Sequence, residues 1–92
     1  MEIVFDPAKS VRNLRERGLS FERVADFDFE SAFFEEDTRR DYGEIRLRAF
    51  GFLDKRLHAL VFVGIPTGIR VISFRKANRR EVRQYHAKTS QS

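Results

Sequence analysis

Ninety-two residues allow one hydrophobic core and one active surface, because a chain this short has no apolar residues to spare for a second. With no cysteine, two histidines (His58 and His86), 41% hydrophobic residues and ten Phe, the composition is that of a globular domain without disulfides, and the histidines do not by themselves make a transition-metal site. The net charge of +4 divides unevenly: residues 1–45 carry seven Lys or Arg against twelve Asp or Glu, and residues 46–92 carry eleven against two. That split predicts a dipolar molecule with one strongly positive surface suited to a polyanion such as nucleic acid, the other reading being charge kept for solubility.

The chain opens on a short β-type run, Glu2 to Phe5, after which Asp6 and Pro7 read as an N-cap and a proline at the first helical position. A helix follows with Ala8, Val11 and Leu14 on one face, Lys9, Arg12, Asn13 and Glu16 away from it, and Gly18 as its stop. Ser20 starts a second helix through Phe27, with Phe21, Val24 and Ala25 as its apolar residues, so the two form a helical hairpin. Glu30 to Asp37 is weakly strand-like, and Glu35 to Asp41 reads as a polar loop. Ile45 to Phe52 alternates as a strand, placing Ile45, Leu47 and Ala49 on one side and Arg46, Arg48, Phe50 and Phe52 on the other.

Asp54-Lys55 turns the chain into Arg56 to Val63, the most hydrophobic segment and a central strand. Gly64 to Gly68 is the next turn, and Ile69 to Arg75 is the antiparallel neighbour. Asn78 caps a last helix that runs to Ala87, with Glu81 as the acid of a capping box, and the polar tail Lys88 to Ser92 frays. The order β-α-α-β-β-β-β-α predicts an α+β fold in one domain over residues 1–92. Its expected form is an antiparallel sheet with an N-terminal helical hairpin and a C-terminal helix. The start lacks the pattern of a signal peptide and the longest apolar run is far too short to span a bilayer, so a cytoplasmic protein with no membrane contact is expected.

The densest basic cluster holds Arg70, Arg75, Lys76, Arg79, Arg80, Arg83 and Lys88 with only Glu81 opposed, across a strand end and a helix start. It reads as a phosphate-binding corner, to which the free N–H groups of the helix N-terminus add, or as a solvated basic helix face. Glu81, Tyr85 and Lys88 share one face of that helix and are placed to converge on a substrate; the structural alternative makes Glu81 the capping acid and Tyr85 a ring packed on the sheet edge. RNA cleavage without a metal uses the 2′-hydroxyl as nucleophile, so the protein must supply a base, an acid for the leaving group and charge stabilisation at the phosphate. Arg, Lys, Glu and Tyr cover all three. A proton-transfer group at neutral pH requires a shifted pKa, such as Glu raised by burial or Lys or Tyr lowered by neighbouring cations. His58, which shares a strand face with Leu60 and Phe62, reads as a core-edge histidine, and His86 as exposed. Arg46 and Arg48 interleave with Phe50 and Phe52; this suits stacking of single-stranded RNA or, alternatively, two core rings rimmed by snorkelling arginines.

In this order the motifs resemble the BrnT toxin family over nearly the whole chain. The stretch FDPAKSVRNLRERGLSF resembles the family's opening through Phe5, Asp6, Pro7, Lys9, Asn13, Gly18, Ser20 and Phe21. The middle, DYGEIRLRAFGFLDKRLHALVF, and the ending, IRVISFRKANRREVRQY, resemble its strands and final helix, with Arg70, Ser73, Arg75, Lys76, Ala77, Glu81 and Tyr85 in matching places. Two departures stand out: Arg17 occupies a position where the family commonly has His, and Val63 to Gly68 replaces its usual Thr-x-Arg-Gly turn.

The resemblance implies a RelE-like fold and the toxin half of a type II toxin-antitoxin pair. It also implies an endoribonuclease that inhibits translation and is neutralised by a BrnA-type antitoxin whose own domain binds operator DNA. On this reading the cleavage is independent of metal and cofactor. The expected catalytic set is Arg70, Arg75, Lys76, Glu81 and Tyr85, with Arg70 and Arg75 on the phosphate and Lys76, Glu81 or Tyr85 handling protons. Lys9, Arg46, Arg48, Arg79 and Arg80 are expected to hold the RNA backbone, and an exposed strand would let two copies pair. The rival reading is a non-catalytic module that binds nucleic acid or a protein partner within a repressor complex.

Overall fold

Strand β1 (Glu2–Val4) leads into helix α1 (Pro7–Arg17) in the computed structural model, which describes residues 1–90. The Asp6 carboxylate accepts from the Ala8 N–H at 2.9 Å, Pro7 opens the helix, and Gly18 ends it in the left-handed conformation at φ 69°. The next segment, Phe21–Asp26, is a 3₁₀ helix capped by Ser20. The expected helical hairpin is therefore replaced by one α-helix and a 3₁₀ turn. The spacing gives the reason: Phe21, Val24 and Phe27 are all buried, and a helix of three residues per turn stacks positions three apart on one line.

Strands β2 (Phe33–Glu36), β3 (Leu47–Leu53), β4 (Arg56–Ile65) and β5 (Gly68–Lys76) follow, and helix α2 (Arg79–Thr89) closes the order. The five strands form one sheet in the order β1-β5-β4-β3-β2. Neighbours among β2 to β5 are antiparallel, but β1 lies parallel to β5, so the sheet is mixed rather than antiparallel throughout. Glycine at 68 permits that closure, since a Cβ there would sit 1.9 Å from the Glu2 carbonyl oxygen.

Asp54 and Lys55 both adopt positive φ, 50° and 66°, the two-residue geometry that matches the twist of a tight hairpin. Strand β4 runs two residues further than its expected end, which leaves Pro66-Thr67 as the turn into β5, and β3 begins at Leu47, which leaves Ile45 exposed before it. Lys88 and Thr89 continue α2 instead of fraying; residues 91–92 of the expected tail lie outside the described residues.

The sheet is buried on both faces. Ala49, Leu53, Leu60, Phe62, Ile69, Val71 and Phe74 pack on one side with Leu19, Phe21, Val24 and Phe27. On the other, Phe50, Leu57 and Ala59 meet Ala77 and Tyr85. Helix α1 contributes to the first side in an unexpected way, because it buries Ser10 while Val11 and Leu14 are 55% and 52% exposed. The Ser10 hydroxyl accepts from the Phe21 N–H at 3.0 Å, and the Asn13 amide donates to the carbonyls of Leu19 and Phe74 at 2.8 and 2.9 Å. Strand β1 pairs only with Gly68 to Arg70 of β5, so the Phe74 carbonyl needs a donor from elsewhere, and satisfying it outweighs burying two aliphatic side chains.

Candidate active site

Strand register builds the site on the α2 side of the sheet. Phe33, Phe50, Ala59 and Arg75 form one cross-strand row, and Glu35, Arg48, Val61 and Ser73 form the next. Helix α2 packs over the first row through Tyr85, with Ala77 from the connection that precedes it. The half-exposed side chains of Arg48, Glu35 and Arg75 therefore lie where the helix stops covering the sheet.

The start of α2 fixes the central pair. Asn78 caps the helix by accepting from the Glu81 N–H at 2.8 Å, while the Glu81 carboxylate accepts from the Asn78 N–H at 2.9 Å. This capping box turns the carboxylate toward β5, where Arg75 donates to both of its oxygens at 2.8 Å. Burial pushes the Glu81 carboxyl up, as expected from the sequence, but the Arg75 hydrogen bonds are the larger effect and the Asn78 N–H adds to them. The carboxyl is thus held below its ordinary range, not above it, and Glu81 is a carboxylate at neutral pH. Arg75 is correspondingly raised by its hydrogen bonds to Glu81.

Arg48 reaches Glu35 at 2.6 Å and its guanidinium lies 5.8 Å from the centre of the Phe50 ring; its buried Nε has no hydrogen-bond partner. A cavity beside these groups is lined by Phe33, Glu35, Glu81, Gln84, Tyr85 and Lys88, together with Phe50. Glu81, Tyr85 and Lys88 do share one wall, as their helical spacing predicted. The Tyr85 hydroxyl donates to the Ser31 carbonyl at 2.7 Å and its ring meets Phe52 edge-on, which is the packing alternative raised by the sequence. Lys88 rests its ammonium over the Phe33 ring at 5.1 Å.

The connection from β2 to β3 crosses the far end of this face. Asp37, with its side chain 1% exposed, accepts from Arg39 Nε and Nη2 at 2.8 and 2.7 Å and from the Tyr42 hydroxyl at 3.2 Å. The Arg39 hydrogen bonds hold its carboxyl far below the usual aspartate range. Arg46 stacks over Tyr42 and donates to Glu44 at 3.0 Å, and Glu44 also accepts from Arg70 at 2.8 Å. The hydrogen bonds from Arg70, then those from Arg46, lower the Glu44 carboxyl.

The remaining sequence-selected residues are distributed elsewhere. Strand alternation turns Lys76 to the other face, where it borders a groove with Arg17, Arg56 and His58, apart from Arg75 and Glu81. Lys9 lies on α1 beside Ile72 and Ser73 at the β5 edge. Arg79 and Arg80 are exposed in the first turn of α2, and with Arg56 and Arg83 they make no ion pair among the described residues. The basic half keeps unpaired charge there, whereas over the sheet Glu35 and Glu44 of the acidic half pair with Arg48, Arg46 and Arg70 of the basic half.

His58 is buried against Phe74 with its Nδ1 at 2.8 Å from the Arg56 carbonyl, and burial lowers its pKa; it is the core histidine the strand pattern indicated. Phe50 is buried and Phe52 packs on Tyr85, so both rings belong to the core. Sequence reasoning missed Glu35, Arg39, Glu44 and Gln84. Among the described residues, no helix is long and apolar enough to cross a membrane, and no group of three metal-ligating side chains is assembled.

Comparison with characterised proteins and with solved structures returns no match. A family match covers residues 5–81, 77 of the 92, from the aromatic-Asp-Pro opening to the Glu81 that grips Arg75, and its description is ribonuclease toxin, BrnT, of type II toxin-antitoxin system. The chain belongs to the BrnT family of ribonuclease toxins.

Proposed function

We propose that the α2 side of the sheet is the RNA-cleaving surface of a metal-independent, RelE-like endoribonuclease that blocks translation. The observation that carries this reading is the Arg75–Glu81 pair: a guanidinium fixed at two points, partly exposed, at the border of an open sheet face. A guanidinium held this way stabilises charge that builds on phosphoryl oxygens without reorganising during the reaction. Arg70 and Arg48 supply further positive charge from the same face, each released toward the phosphate as it loosens from its glutamate partner.

In the proposed reaction the RNA 2′-oxygen attacks the adjacent phosphorus and the bond from phosphorus to the 5′-oxygen breaks. A 2′,3′-cyclic phosphate and a free 5′-hydroxyl result. Because the nucleophile belongs to the RNA, the protein's task reduces to proton transfer and charge stabilisation. Glu81, held as a carboxylate, orients Arg75 and accepts the 2′-hydroxyl proton only as a weak base, since Arg75 holds its carboxyl low, so charge stabilisation by Arg75 carries most of the rate; Lys88, on the same cavity wall, gives the 5′-oxygen its proton. Tyr85 supports the wall through Ser31, and Lys76, turned to the other face, takes no part in the reaction. Arg46, Arg79 and Arg80 hold the RNA backbone around the site, while Lys9, on α1, lies apart from it.

The partner on this reading is a BrnA-type antitoxin that also binds operator DNA, with the toxin acting in the cytoplasm. Incubation of the purified protein with a defined RNA in EDTA tests the chemistry: fragments ending in 2′,3′-cyclic phosphate are expected from the wild type and not from Arg75→Ala.

A further inference from the structure

Helix α1 is amphipathic in the wrong sense for its own fold. Its inward residues are polar, Ser10 and Asn13, and its aliphatic stripe of Ala8, Val11 and Leu14 faces outward. Pro7, Ala8, Val11, Arg12 and Arg15 line a shallow groove on that outer side, and no described residue packs over it as part of either core cluster. Two half-exposed aliphatic side chains one turn apart, in a molecule this small, mark a surface awaiting a partner.

Charge selects the kind of partner. Helix α1 carries Lys9, Arg12, Arg15 and Arg17 against Glu16 alone, and none of these residues is in an ion pair among the described residues. Two copies of the chain laid stripe against stripe would bring like charges together, which costs affinity. An amphipathic segment with an acidic rim would instead cover the aliphatic stripe and neutralise its flanks.

We infer that α1 is the docking surface for the antitoxin, which lays an acidic amphipathic helix along Ala8, Val11 and Leu14 and sets carboxylates against Arg12 and Arg15. The inference rests on the toxin-antitoxin membership and deepens the proposed function by separating two surfaces. Helix α1 lies against the 3₁₀ segment and the open edge of β5, with neither Arg75 nor Glu81 among the residues lining its outer groove, so anchoring the antitoxin and cleaving RNA draw on different residues.

The test titrates the antitoxin encoded with this toxin into wild type and into a Val11→Ser/Leu14→Ser variant by calorimetry, with RNA cleavage measured on the same preparations. Losing the burial of two aliphatic side chains is expected to weaken binding about thirtyfold while cleavage is unchanged. Arg12→Glu/Arg15→Glu, which leaves the aliphatic stripe intact, is expected to weaken binding as well and to flatten its dependence on salt. Wild-type affinity in both variants overturns the proposal. So does an apolar variant that converts a toxin dimer to a monomer in sedimentation, since the stripe would then be covered by a second copy. The binding comparison decides the docking surface whether or not the wild type cleaves RNA, and the cleavage measurement alone decides the ribonuclease site.

Discussion

Arg75 and Glu81 meet in a two-point fork, each guanidinium nitrogen 2.8 Å from its own carboxylate oxygen, and the same carboxylate closes the capping box of α2. One side chain therefore sets both the helix start and the direction of the arginine. Replacing Arg75 with Ala is expected to lower kcat for RNA cleavage by about a hundredfold to a thousandfold, the scale for removing one preorganised donor to a developing anion. Glu81→Gln keeps a capping side chain at the third helical position but loses the charge and one arm of the fork. Its kcat is expected to fall at least tenfold, roughly the effect of one charge-assisted hydrogen bond, and its melting temperature to fall as well, because the ionised form that Arg75 stabilises is lost. Steady-state kinetics beside thermal melts of the two variants separate the roles.

Acid is expected to destabilise the fold, and the sign follows from three groups. Asp37 and Glu81 have carboxyls held below their ordinary ranges, by Arg39 and by Arg75 respectively, so each contributes stability that is present above the ordinary carboxylate range and lost as pH falls through its lowered native value. His58 is lowered by burial, so its contribution is complete above the ordinary histidine range and declines as pH falls below it. Stability by urea denaturation should be level above neutrality, decline gently below pH ~6.5 as His58 acquires a cost of charging, and drop steeply below pH ~4. Asp37→Asn should flatten the steep part and, by removing the charged acceptor of Arg39 and Tyr42, cost about 2 kcal/mol at neutral pH.

Asn13 joins α1 to the loop at Leu19 and to the open edge of β5 at Phe74. Asn13→Ala leaves two carbonyls without donors and is expected to cost about 1 to 3 kcal/mol. Asn13→Asp should cost at least as much, because its carboxylate would face both carbonyl oxygens. Denaturation midpoints check the order, and the cleavage rate per folded molecule is expected to stay at the wild-type value because the Asn13 side chain bonds only backbone carbonyls and touches neither Arg75 nor Glu81.

Gly68→Ala is expected to strip β1 from the sheet, since even a methyl group there collides with Glu2 backbone atoms that have no freedom to yield. Amide hydrogen exchange should rise over residues 2–4, with a loss of stability of about 2 kcal/mol or more, in the range of overpacked core substitutions. Protected amides in β1 of the variant would show that the parallel pairing tolerates a side chain at 68.

Much of this architecture was legible along the chain because each signal was local. Asp6-Pro7, Gly18, Asp54-Lys55 and Asn78-Glu81 act over two to four residues, and each lies at the element end it predicted. The orientation of α1 was not legible, because Val11 and Leu14 carry a correct helical period and only the unpaired Phe74 carbonyl, sixty-one residues beyond Asn13, turns the polar face inward. The parallel placement of β1 likewise depends on a backbone approach between Glu2 and Gly68 that no periodicity reveals. At the site, the capping box brought Glu81 and Arg75 within reach of sequence reasoning. The pairing of Glu35 with Arg48 and of Glu44 with Arg70 required the strand register and the path of the 37–46 connection. The charge split overstated the positive surface for the same reason, since folding brings the two halves together.

The ends left by RNA cleavage in EDTA test the central claim most directly, with purified wild type, Arg75→Ala and Glu81→Ala compared on one defined RNA. The arrangement on the α2 side of the sheet predicts 2′,3′-cyclic phosphate ends from the wild type and their loss in both variants while the variants remain folded. Wild-type cleavage retained in both folded variants would contradict the assignment of the site, and RNA left intact by the wild type, with and without translating ribosomes, would contradict the proposed reaction itself.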